Sequence, residues 1–76
     1  MIRRRDFERY LCNNWGCYPS HGDDATLCHE VNGQTYYATF GNHDRREFHK
    51  GEARRFLQEL GFSGNDYAQI RRDWEL

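Results

Sequence analysis

Apolar side chains recur at two different periods along this chain, and the switches between them divide it into elements. Phe7, Tyr10, Leu11 and Trp15 fall at helical spacing, which predicts a first helix over 4–14. Asn13, Asn14 and Gly16 are poor interior residues and end it, and 18–24, carrying Pro19 and Gly22, reads as a loop. Period two then takes over. Residues 25–31 and 34–40 flank Asn32-Gly33, a strong hairpin signal because a type I′ turn needs positive φ at both central residues. With Asn32-Gly33 as a two-residue loop, Val31 faces Gln34, His29 faces Tyr36, Leu27 faces Ala38 and Ala25 faces Phe40. The face carrying Ala25, Leu27, His29, Val31, Tyr36, Ala38 and Phe40 is the one helices should cover. Thr26, Cys28, Glu30, Thr35, Tyr37 and Thr39 form the opposite, polar face, open to solvent or a partner.

After a loop at 41–44, residues 45–48 suit a short third strand. Ala53, Phe56, Leu57 and Leu60 then repeat at i, i+3, i+4 and i+7, predicting a helix over 50–60 that ends at Gly61, with Phe62 folding back on its last turn. Ser63 followed by Asp66 resembles a capping box for a final helix over 64–74, striped by Tyr67, Ile70 and Trp74. This order predicts an α+β fold. It is a small two-layer sandwich, helix, antiparallel hairpin with a short further strand, helix and an extra C-terminal helix, of the kind seen in double-stranded-RNA-binding domains.

Seventy-six residues allow one domain spanning 1–76, with a core worth roughly 3–5 kcal/mol. No apolar run approaches the roughly 18 residues a membrane span requires, and no leader pattern precedes a cleavage site, so a soluble cytoplasmic protein is expected. The three cysteines, Cys12, Cys17 and Cys28, are odd in number and lack framework spacing, which points to reduced thiols. Together with His21 and His29 they also lack the close pairs of a zinc site, and Cys28 and His29 point to opposite sheet faces. No metal or other cofactor is expected. His29 should instead pack edge-on near Tyr36.

The formal net charge of −1 argues against a protein held to nucleic acid by bulk charge. The basic residues are nevertheless mostly Arg and occur in runs, Arg3-Arg4-Arg5, Arg45-Arg46, Arg54-Arg55 and Arg71-Arg72. Such runs are either solvated helix faces or local anion sites. One cluster stands out: His43, Arg45, Arg46, His49, Lys50 and Arg54 surround the start of the predicted 50–60 helix, whose free N–H groups also attract phosphate. Asp44, Glu47 and Glu52 dilute that cluster, and a mixed surface with exposed Tyr37 equally suits a protein interface.

RNA cleavage without a metal needs one group to deprotonate the 2′-hydroxyl and another to protonate the leaving oxygen. His43 is the candidate here, with Asp44 to orient its ring and Arg45 and Arg46 to stabilise phosphate charge; a solvent-facing loop histidine is the plainer alternative. Asp24 is the second candidate, as a base whose pKa neighbouring Asp23 would raise, against ordinary acidic turn chemistry.

Several of these features resemble the HicA family of small toxins from bacterial toxin–antitoxin systems. They are Asp6-Phe7-Glu8-Arg9-Tyr10-Leu11 ahead of Gly16, Gly22 before the first hairpin strand, Asn32-Gly33, His43 after the second strand, and 50–62 as the family's closing helix. The resemblance implies a fold like that of double-stranded-RNA-binding domains and mRNA cleavage. The family places a catalytic His shortly after a Gly at the start of its first strand, whereas this chain has Gly22-Asp23-Asp24-Ala25-Thr26, and the family's Pro before the second His is replaced by Thr39-Phe40-Gly41. Two functions follow as expectations. One is a HicA-like RNA-binding module, a toxin whose active site is lost or rebuilt; the other is a phage or mobile-element accessory protein that inhibits a host protein by direct binding. The expected partner is accordingly RNA, or a host or antitoxin protein.

Overall fold

The computed structural model describes residues 1–40 and 47–76, the side chains of Asp23 and Asp24 excepted. Element order is β1 (Ile2–Arg3), α1 (Arg4–Asn14), β2 (Tyr18–Ser20), β3 (Asp23–Val31), β4 (Gln34–Thr39), β5 (Glu47–Phe48), α2 (Lys50–Glu59) and α3 (Gly64–Trp74). An antiparallel three-stranded sheet runs β2-β3-β4, and β1 pairs separately with β5. The expected α+β class is therefore what the chain adopts.

The hairpin has the predicted register, with Val31 opposite Gln34, His29 opposite Tyr36 and Leu27 opposite Ala38. Asn32 (φ 52°) and Gly33 (φ 82°) supply the two positive φ angles that a type I′ turn demands. The Phe40 N–H donates to the Ala25 carbonyl at 2.8 Å, extending the ladder one step beyond β4.

Three expectations need correction. The 18–24 stretch is not a loop throughout, because Tyr18–Ser20 forms β2 and β3 begins at Asp23. Pro19 does not prevent this: β2 is an edge strand, where a missing N–H can face away from the ladder, and the register shifts between Pro19 and Ser20. The short strand expected over 45–48 is described only at Glu47–Phe48, and its partner is β1 rather than the hairpin. Ile2-Arg3 is too short to show a period. Finally, Ser63 is the N-cap of α3 but makes no side-chain capping bond. The carboxylate that caps a helix is Glu52 of α2, which accepts the His49 N–H at 2.9 Å.

Helices α1 and α2 bring Phe7, Leu11, Ala53, Phe56, Leu57 and Leu60 into one cluster with Leu27, Ala38 and Phe40 of the sheet. Phe7 is its hub, with ring centroids 5.7 Å from Phe48 and 5.1 Å from Trp74 of α3, while Phe40 stacks on Phe56 at 4.2 Å. Gly61 (φ 80°) turns the chain out of α2, so that the Phe62 N–H returns to the Leu57 carbonyl and the Gly61 N–H to Gln58. Buried Phe62 thus folds back as expected.

On the opposite sheet face, two residues expected to be open are covered. Cys28 is 4% exposed, flanked across the strands by Tyr18 and Tyr37, and buried Thr26 has its hydroxyl 2.8 Å from that of Thr39.

Candidate functional site

Two of the predicted site residues, His49 and Lys50, stand at the start of α2. His49 is its N-cap in an extended conformation (φ −78°, ψ 159°), Lys50 its first residue, and both side chains are exposed. Glu52, one turn on, adds a negative charge to the same helix end and fixes the His49 backbone. Positive and negative charge therefore meet at this end, and attraction for an anion depends on the side chains that reach beyond Glu52.

Arg54 is placed differently from the expectation. Its guanidinium is half-buried and Nη1 donates to the Leu76 oxygen at 3.2 Å, an acceptor it shares with Arg71 Nη2 at 3.0 Å. It also lies along its own helix, with Nη2 only 3.8 Å from where a side chain on Gly51 would begin. Arg54 thus ties α2 to the end of α3 and offers only its remaining N–H groups to a ligand. His43, Arg45 and Arg46 lie outside the described residues, and so does the Asp24 side chain, although its backbone is in β3.

His29 has a role that the hairpin register alone did not reveal. It faces Tyr36 across the hairpin, and its ring lies parallel to Phe62, centroids 4.2 Å apart and planes 15° from each other. Nδ1 is 2.8 Å from the Leu60 carbonyl, which only accepts, so Nδ1 carries the hydrogen. The imidazole pins the hairpin to the end of α2. Gly61-Phe62 was the available signal, since the fold-back carries an aromatic ring and the Leu60 carbonyl to His29.

Burial holds two of the three thiols in the protonated form. Burial pushes Cys17 up to about 12, with Cys12 and Cys28 nearby adding to the effect, and burial followed by the Glu8 charge raises Cys12. All three cysteines are free, and among the described residues no group of three His, Cys, Asp or Glu side chains is placed to hold a metal ion. Exposed Tyr18 has its phenol raised by partial desolvation and then by the carboxylate of Glu30 on the neighbouring strand.

Set against protein-family models, curated proteins and solved structures, the chain matches none. Among the described residues no helix is long and apolar enough to cross a membrane. The chemistry the described site can offer is electrostatic. Lys50 is an exposed donor at a helix N-terminus, with the exposed His49 ring beside it.

Proposed function

We propose that this chain is a HicA-like RNA-binding module that takes a backbone phosphate at the start of α2. The observation that supports the reading best is the exposure of His49 and Lys50 at that helix end, in a chain whose strands and flanking helices follow the order α1, β2, β3, β4, α2. Helix-end N–H groups and a lysine ammonium attract phosphate without reading sequence, so binding is salt-sensitive and modest. The direct test is titration of the protein with short duplex and single-stranded RNA at low salt, following backbone amides. Shifts concentrated over residues 47–54 are expected, weakened by Lys50→Ala. An RNA excess that moves none of them would overturn the reading.

In its toxin form the proposal assigns acid–base chemistry to His43 and Asp24. Induction in bacteria should then arrest growth with mRNA decay, and His43→Ala should abolish both while the purified variant retains its circular dichroism spectrum. A harmless wild-type chain rules the toxin form out.

A further inference from the structure

The two edges of the three-stranded sheet are built differently. Edge strand β2 is three residues long, carries Pro19 and has an irregular register against β3. Those are devices that discourage another strand from adding to an edge. The other edge, β4, is Gln34-Thr35-Tyr36-Tyr37-Ala38-Thr39, with no proline, no charged side chain and an unbroken register against β3. Among the described residues it has no strand on its outer side.

Register parity tells which backbone groups that edge presents. In a two-residue hairpin the residues next to the turn exchange both backbone hydrogen bonds, here Val31 and Gln34, and the exchange repeats at every second position. The bond from Phe40 N–H to the Ala25 carbonyl falls on the same parity. Gln34, Tyr36 and Ala38 therefore point their backbone groups at β3. Thr35, Tyr37 and Thr39 point theirs outward.

We infer that β4 is a docking edge for a second copy of this chain, added antiparallel about a two-fold axis through Tyr37 to give a continuous six-stranded sheet. The outward groups are self-complementary about that centre. Tyr37 exchanges both bonds with Tyr37 of the other copy, and Thr35 and Thr39 each exchange both with the other's Thr39 and Thr35. Every outward N–H then meets a carbonyl. The charge pattern favours an identical partner too, because an edge without charged side chains meets its own copy without repulsion, and threonine–threonine and aromatic pairs are favourable cross-strand neighbours. Tyr37, 61% exposed, gains a ring beside it. An interface of one short strand is weak, with a dissociation constant on the order of micromolar or higher. The inference does not depend on RNA binding.

Sedimentation equilibrium on the purified protein from micromolar to millimolar concentration tests it, together with amide exchange at low and high concentration. A monomer–dimer equilibrium is expected, with the Thr35, Tyr37 and Thr39 amides gaining protection as concentration rises. Thr35→Lys places like charges near the axis and should raise the dissociation constant about tenfold or more, as loss of a bonded pair implies. Tyr37→Pro removes an outward N–H without touching the β3 ladder and should do the same. A monomer at every concentration, or a dimer as tight in Thr35→Lys as in the wild type, would overturn the assignment.

Discussion

Gly61 combines two demands that only glycine meets. Its φ is 80°, and a Cβ there would stand 2.8 Å from Cδ2 of Tyr36. Gly61→Ala should therefore cost about 2–4 kcal/mol, part left-handed strain and part overpacking, read from urea denaturation. In a Tyr36→Ala background the packing part should vanish and the strain remain. Cys17 gives a pH prediction with a definite sign. Its folded pKa, about 12, lies above the ordinary 9.0, so the unfolded thiol loses its proton first. The stability it contributes is complete below pH 9 and is lost as pH climbs toward 12. The urea midpoint should fall over that window, less steeply in Cys17→Ala.

At the scale of elements, α1 and α3 are joined by polar as well as aromatic contacts. The Tyr10 hydroxyl donates to Asp73 and accepts from Trp15 Nε1 at 2.9 Å, while its ring meets Trp74 edge to face. Burial, and then the hydrogen bond to Asp73, hold the Tyr10 phenol above its usual pKa. Tyr10→Phe should cost about 1–2 kcal/mol in denaturant unfolding, because both bonds go and the part-buried indole N–H loses its acceptor. Asp73→Ala should cost less, since the Trp15 bond survives. Elements with a strong period were legible in the sequence: α1 and α3 occupy the expected residues, and the hairpin keeps its register. β2 was hidden because Pro19 signals a break, and an edge position that tolerates it is a tertiary fact. β1 was hidden because its signal is Phe48, distant in sequence.

For the molecule as a whole, the candidate site was legible only in part. Residue type and spacing correctly placed His49 and Lys50 at a helix start, but they could not show that Arg54 is drawn to Leu76, a contact set by how α3 packs. With net charge −1, the exposed Lys50 and the remaining Arg54 N–H groups among the described residues would give a phosphate-binding surface a log–log salt slope of only about −2. A much steeper slope in fluorescence anisotropy would show that cations beyond these two take part in binding. The pairing of Ile2 with Phe48 has a kinetic side as well. The hairpin closes over two residues and can form early, whereas β1 must wait for α1 and the whole three-stranded sheet to be in place before it meets β5. Such a long-range pair of two-residue strands should be assembled last and reopen first. Native-state hydrogen exchange should accordingly find any protected amides of β1 and β5 opening at lower free energy than those of β3, so the strand that leads into α2 sits on the least secure seam of the fold.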